Sequence, residues 1–228
     1  MEFASPEFWA ALMQIMLINI VLSGDNAVVI ALASRNLPPA MQKKAIFWGS
    51  AAAIILRIIL TVFAVALLDM DWIKLGGAVL LLWIGVKLLV PEDGHGDLDG
   101  ASNLMGAVKT ILIADFVMSL DNVIAVAAAA KGSMTLLIIG LGVSIPLIIF
   151  GSAMLLKVMD RFPIIITIGG ALLGYVAGDM AVHDGAIGGF IQANHWLVDY
   201  KVAPIAGAIF VVVLGKYLAS KKPAAAAH

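Results

Sequence analysis

Long apolar stretches alternate with short polar breaks along the whole chain. A helix that crosses a bilayer needs about 20 mostly apolar residues. Seven runs approach or exceed that length: Phe8–Ala33, Ala45–Leu68, Ile73–Val90, Leu104–Ala130, Met134–Leu156, Pro163–Met180 and Val202–Ala219. The pattern predicts an all-α membrane protein with seven transmembrane helices. The connections are short, the longest being 91–103 and 181–201, so no soluble catalytic domain fits between the spans. No apolar run resembles a cleaved signal peptide, because the first is too long and its flank, MEFASPEF, is acidic.

Composition agrees with the pattern. The chain is 62% hydrophobic and 13% charged, with a mean hydropathy of +1.06. An ordinary soluble domain carries about 25% charge. The 228 residues include no cysteine, which excludes thiolate chemistry, disulfides and soft-metal thiolate sites. The distribution of charge orients the spans. With the N-terminus outside, Arg35, Lys43, Lys44, Lys87, Lys109, Lys157, Arg161, Lys216, Lys221 and Lys222 face inward. Only Lys74, Lys131 and Lys201 face outward, as the positive-inside rule prefers. The expected location is the cytoplasmic membrane, with multiple passes.

The chain is written twice. Shifted by 96 positions, Asn19 falls on Asp115, Ser23 on Ser119, Asp25 on Asp121, Asn26 on Asn122 and Arg35 on Lys131. Shifted by 93, LGGAVLLLWIG (Leu75–Gly85) falls on IGGALLGYVAG (Ile168–Gly178), and Gly49 on Gly142. Three spans therefore repeat as the next three. An odd number of spans forces the second copy to enter from the opposite side, giving two inverted three-helix repeats plus a C-terminal helix, a plan that recurs in secondary transporters. The predicted layout is a first repeat at 1–90, an acidic, glycine-rich linker at 91–103 and a second, inverted repeat at 104–180. An extracytoplasmic loop at 181–201 and a seventh helix at 202–220 follow. The tail at 221–228, KKPAAAAH, has no periodic pattern and reads as an appended remnant.

The repeated segments carry the chemistry. A carboxylate in mid-bilayer costs on the order of 2.5–3.5 kcal/mol on insertion scales, so Asp25, Asp115 and Asp121 need protons, cations or a hydrated cavity. At 100° per residue Asn19, Ser23 and Asn26 share one helical face, with Asp25 at its flank. Asp115, Ser119, Asn122 and Asp121 repeat that face. Convergence of the two faces offers an all-oxygen ligand set, which suits Mg, Ca or Mn rather than Zn, Cu or Ni. The bland alternative is that Ser23 and Ser119 only hydrogen-bond between helices. Gly24 lets the first span unwind beside Asp25, whereas Leu120 in the second copy does not.

Other polar residues are less pointed. Arg57 either pairs with one of the acids when a cation is absent or caps an acid permanently. Asp179 lines an outer vestibule or marks the membrane surface. His183 and Asp184 are expected in a solvated loop. Gly170, Gly174 and Gly178 form a small-residue stripe for close helix packing, and Pro146 is expected to kink its span. No phosphate loop, G-x-S-x-G or H-E-x-x-H is present, so neither an enzyme nor a nucleotide-driven pump is expected.

LSGDNAVVIALA and MSLDNVIAVAAA resemble the paired signature segments of the TerC family of integral membrane proteins, over roughly residues 5–220. LLLWIGVKLL and GGALLGYVAGDM are similar to that family's third- and sixth-helix segments. The compact form resembles the YjbE-type branch, and the family groups with the LysE-type transporter superfamily. The resemblance implies manganese handling: efflux of Mn²⁺, or its supply to exported proteins. The family's intramembrane acids map onto Asp25, Asp115 and Asp121. Asn19 departs from the pattern, since relatives often carry an acid there. The tellurium association in the family's name fits poorly, because tellurite is an anion and carboxylates repel it. The expected function is Mn²⁺ efflux by alternating access, with proton antiport as the driving force. Ca²⁺ export and a transport-free assembly or metallation factor are the alternatives. The expected partners are the divalent cation and membrane lipid, with no cofactor and no nucleic acid; a homo-oligomer stays open.

Overall fold

A computed structural model of the chain describes residues 6–22, 24–63, 70, 72–90, 100–130 and 133–221. Within these helices the side chains of 6–7, 19–22, 100–102, 121, 123–125 and 127–130 also lie outside the described set. The described residues are helical throughout: α1 (Pro6–Leu22), α2 (Gly24–Ser34), α3 (Pro39–Val62), α4 (Ile73–Leu89), α5 (Gly100–Ala130), α6 (Met134–Arg161), α7 (Ile164–Val182) and α10 (Val202–Lys221). Between α7 and α10 lie a 3-10 turn (Gly185–Ile187) and the short helices α8 (Gly188–Ala193) and α9 (Trp196–Asp199). Five helices are long and apolar enough to cross a membrane: α3, the Asn103–Leu120 part of α5, α6, α7 and α10. Alongside them, α1 and α2 are shorter apolar helices, and α4 has 17 residues.

Local chemistry sets several helix ends away from the hydropathy boundaries. The α3 helix starts at Pro39 rather than Ala45, because Pro38 and Pro39 preset the first turn even though its Gln42, Lys43 and Lys44 are polar. Ser133 caps α6, its hydroxyl accepting the N–H of Leu136 at 3.3 Å. The α6 helix continues through Pro146 to Arg161 without a break in assignment. The expected unwinding beside Gly24 falls on residue 23, outside the described residues.

Two larger apolar cores share three helices. One gathers Ile15 of α1, Ile30 of α2, Ile46 and Ile54 of α3, Ile111 of α5 and Leu141 of α6. The other gathers Val29 and Leu32 of α2, Leu81 and Ile84 of α4, Val117 of α5, Met159 of α6 and Leu173 of α7. Thus α2, α5 and α6 each put residues into both cores, and α2 packs on α5 at the seam between them. The outer surface is also apolar: Trp48, Ile55, Val79, Trp83, Phe150, Ile168 and Phe210 are exposed. Helices that are apolar all round belong in lipid.

Small residues set the closest approaches. A side chain at Gly174 or Gly207 would run into the other's backbone, and one at Gly178 into the backbone of Ala203. The small-residue stripe therefore seats α7 directly on α10. Gly49 of α3 lies under Ile111 of α5, where an added Cβ would sit 2.6 Å from Ile111 Cδ1. Gly140 of α6 lies under Ile15 of α1 in the same way, 2.5 Å from Ile15 Cγ2. The sequence shift pairs Gly49 with Gly142, but Gly142 has nothing within 4 Å; Gly140 makes the matching contact.

Candidate functional site

Most buried polar residues lie on α2, α3 and α5, with Ser144 and Ser152 on α6 and Asp184 beyond α7. Asp115 and Ser119 are one turn apart on α5, and both are buried. Arg57 of α3, only 2% exposed, reaches them from the side. Its Nη2 lies 2.5 Å from Asp115 Oδ1, and its Nε donates to Ser119 Oγ at 3.1 Å. Ser119 donates in turn to Asp115 Oδ2 at 3.4 Å. The result is a closed ring that ties α3 to α5. A buried guanidinium needs such a carboxylate, since a lone charge in this interior would be very costly.

On the facing helix, Asn26 is 3% exposed, and among the described residues neither its amide oxygen nor its amide nitrogen has a hydrogen-bond partner. Beside it lies a small cavity of about 10 Å³, lined by Asn26, Val29, Ile30, Ile111 and Asp115. That is room for about one water or a small ion. Asp25, half-buried at the start of α2, accepts the backbone N–H of Asn26 at 2.8 Å through Oδ1. Asp25, Asn26 and Asp115 are therefore neighbours in space.

The remaining candidates divide. Asn122 is half-buried on α5. Asn19 on α1 and Asp121 on α5 lie within helices, but their side chains are outside the described residues, as is Ser23 altogether. Among the described residues no three His, Asp or Glu side chains stand together as a metal cluster. The third carboxylate of the expected set, Asp121, is one of those outside.

A second, larger cavity of about 110 Å³ lies further along the same α2–α5 seam. It is lined by Leu32, Ala33, Asn36 and Leu37 of the α2 end, Lys87 and Leu88 of α4, and Asn103, Gly106, Ala107 and Thr110 of α5. Thr110 lines this cavity, and the next residue, Ile111, lines the small one. The sequence reading missed this feature. Its signal was present as small and polar residues at helical spacing, Asn103, Gly106, Ala107 and Thr110, leading to Asp115.

The loop expectation for Asp184 is corrected. His183 is exposed, with Nδ1 2.6 Å from the Asp179 carbonyl oxygen, but Asp184 is only 2% exposed. Its carboxylate accepts backbone N–H groups from Trp72 at 3.1 Å, Leu75 at 2.9 Å and Ala186 at 2.8 Å. It serves protein donors rather than a metal. Burial works to raise its pKa, yet these donors outweigh burial and hold it below the usual carboxylate value. Asp179 sits at the end of α7, paired with Lys201 at 3.3 Å and partly exposed.

Sequence comparison places this architecture among known proteins. The chain is 39% identical over 211 residues to the uncharacterized membrane protein YjbE of Bacillus subtilis, covering 92% of this chain and 96% of that one. It is 27% identical over 186 residues to YceF of the same organism, covering 77% and 72% of the two chains. It is 26% identical over 177 residues to the UPF0053 inner membrane protein YgdQ of Escherichia coli K12, covering 69% and 74%. No solved structure matches the chain. The model of the integral membrane protein TerC family matches residues 4–223, nearly the whole length, and the chain is a multi-pass member of the TerC family.

Proposed function

We propose that this protein carries a hard divalent cation, Mn²⁺ by preference, out across the cytoplasmic membrane. The observation that supports this most is Asn26: a buried amide with no partner among the described residues, beside a carboxylate and a cavity the size of one small guest. A buried amide left unsatisfied costs about 1–3 kcal/mol, and a guest that accepts its oxygen removes that cost. The side-chain oxygens described there belong to Asn26 and Asp115, which line the cavity, and to Asp25 beside Asn26; the proposed site adds Asp121 and Asn122 from the second signature segment. This is the ligand chemistry of Mg, Ca and Mn. The choice of Mn²⁺ over Ca²⁺ rests on the family resemblance.

Seven spans in two inverted repeats give the motion. In support, Gly49 under Ile111 and Gly140 under Ile15 are the same contact made twice, and Ile15 and Ile111 are related by the same shift of 96 that superposes the two signature segments. The seam between α2 and α5 is then the meeting place of the repeats, where transporters of this plan bind their cargo. The 110 Å³ cavity at the lysine-rich end supplies access from the cytoplasm. Rocking of the halves opens the site outward, and protons returning through the same acids drive export.

The test is Mn²⁺ uptake into inside-out vesicles by wild type, Asp25→Asn, Asp121→Asn and Asn26→Leu. Wild type accumulates Mn²⁺ under a proton gradient and the three variants lose most of the flux. Equal flux in all four would refute the site. A folded wild type that moves no divalent ion would favour an assembly or metallation factor instead.

A further inference from the structure

We infer that a phospholipid with an anionic headgroup seats at the lysine-rich end of a groove between α4 and α10, its phosphate on Lys87 and one acyl chain along the groove. There it completes the mouth of the 110 Å³ cavity. The seat stands on its own geometry; its effect on transport rests on the cation reading above.

The groove lies on the outer, apolar surface and measures about 520 Å³. Val79, Trp83 and Val86 of α4 form one wall, and Phe210, Leu214 and Leu218 of α10 form the other. Behind it the two helices touch, Val211 of α10 against Gly85 of α4. From Val79 to Val90 the α4 wall rises about 16 Å at 1.5 Å per residue. That is the depth of one leaflet, half of a hydrocarbon core about 30 Å thick. Lys87 is the only charged residue in the lining. The groove therefore matches one acyl chain in length and in chemistry, with a cation at one end.

Lys87 lines both the groove and the polar cavity. On α4 it stands on the flank between Val86, which faces the groove, and Leu88, which faces the cavity. It is exposed, and its Nζ lies 5.4 Å from the centre of the Trp83 ring. Lys221 repeats the arrangement on α10, with Nζ 4.5 Å from the centre of the Tyr217 ring. Eleven residues beyond Phe210, Lys221 also continues the row of Phe210, Leu214 and Leu218. Both walls thus end in a lysine over an aromatic ring, the pairing that marks a membrane interface. Lysines at that level attract anionic headgroups. No acid is among the described residues that line the groove or the cavity.

The cavity supplies the reason for the lipid. Among the described residues that line it, Lys87 carries the only charge, and Asn36, Asn103 and Thr110 are neutral. A positive charge has the wrong sign for the entrance of a divalent cation. Charge lining a cleft changes the arrival rate of a charged ligand by about tenfold or more. A headgroup phosphate on Lys87 cancels that charge, and its remaining oxygens face the cavity mouth. The lipid then turns a repelling entrance into an accepting one.

Native mass spectrometry of the purified full-length protein tests the seat, with phosphatidylglycerol and phosphatidylcholine of equal chain length as probes. Wild type binds phosphatidylglycerol more tightly, and excess inorganic phosphate does not displace it. Lys87→Gln weakens that binding by about fivefold, the worth of one lysine at a membrane surface, and Lys87→Arg retains it. Lys109→Gln, at an exposed lysine that lines neither groove nor cavity, binds like wild type. Equal affinity for the two lipids, or unchanged affinity in Lys87→Gln, overturns the inference. Displacement by inorganic phosphate also overturns it, since the guest is then a free anion. So does a disulfide between two copies of a Phe210→Cys variant in the membrane, which puts a second chain in the groove. Mn²⁺ uptake into inside-out vesicles tests the role in entry. Adding phosphatidylglycerol speeds wild type and Lys109→Gln more than Lys87→Gln, and in phosphatidylcholine alone Lys87→Gln outruns wild type. Equal responses in all three overturn that role. If no vesicle takes up Mn²⁺, the cation reading fails, and the mass spectra decide the seat by themselves.

Discussion

The carboxylate of Asp184 accepts the backbone N–H of Leu75 at 2.9 Å across 109 residues of chain. Leu75 is in the first turn of α4, and Trp72, the residue before that helix, donates to the same carboxylate at 3.1 Å. Trp72 has no capping side chain, sits in the left-handed region at φ 71°, and no acidic residue stands in the first turn. Asp184 thus supplies from the far end of α7 what α4 lacks locally, an oxygen for its orphan N–H groups and a negative charge at the positive end of its dipole. Replacement by Ala removes three hydrogen bonds at once and is expected to cost about 2 kcal/mol or more. Thermal unfolding in detergent measures it, and a change under about 0.5 kcal/mol, as for an ordinary surface substitution, would show that the cap is idle.

The same contact has a defined pH dependence. The folded-state pKa of Asp184 lies below the value of about 3.9 for a free aspartate. A lowered pKa contributes stability that is fully present above the unfolded value and is lost as pH falls through the folded one. Between about pH 5 and 8 the cap is therefore constant, and below about pH 4 it weakens. Unfolding midpoints of wild type and Asp184→Asn are expected to differ at pH 7 and to converge as pH drops below that range. A gap that stays constant through pH 3 would contradict the assignment.

The stripe of glycines on α7 makes a steric prediction. Gly174 and Gly207 touch backbone to backbone, so a larger residue has no flexible side chain to push aside. Gly174→Val forces α7 and α10 apart and costs at least the 1–3 kcal/mol, roughly, of core overpacking. Gly188→Val, at a glycine with open space around it, serves as the matched control and stays near neutral. Protease resistance of the two variants in membranes measures the difference, and equal resistance would mean that α7 and α10 have room to separate.

How much of this was legible beforehand follows from where the signal lay. The all-helical, apolar architecture was written in the hydropathy, and the repeated segments at 19–26 and 115–122 pointed to Asp25, Asn26, Asp115 and Ser119 before any of them had a place in space. Three of those four prove to be buried. Arg57 was expected to pair with an acid, either when a cation is absent or permanently, but which acid was not legible, because partner choice across 58 residues depends on the packing of α3 on α5, which no local pattern records. Asp184 was misjudged for a similar reason. Its neighbours in sequence are loop residues, while its partners belong to a helix a hundred residues earlier. The glycine match failed by two positions at Gly142 because apolar runs slide past one another without changing composition; only contact with Ile15 selects Gly140.

The seam between α2 and α5 carries the last prediction. Ile111 is 1% exposed, lines the small cavity, and directly follows Thr110, which lines the large one. We propose Ile111 as the plug between the lysine-rich end and Asn26; it packs over Gly49, which leaves it room. Trimming it to Ala removes the plug at a cost of about 2–5 kcal/mol, the range for emptying a core position. The chain has no cysteine, so accessibility is readable at single introduced thiols. In a cysteine-substituted Asn26→Cys background, a charged thiol reagent applied from the cytoplasmic side is expected to label slowly. Adding Ile111→Ala raises that rate by about tenfold or more, the kinetic equivalent of about 1.4 kcal/mol off the barrier. Thr110→Cys, already on the open side, labels at the same rate with or without the trimming. If Ile111→Ala leaves position 26 as protected as before in a folded protein, the two cavities are not consecutive chambers and the route to the site runs elsewhere.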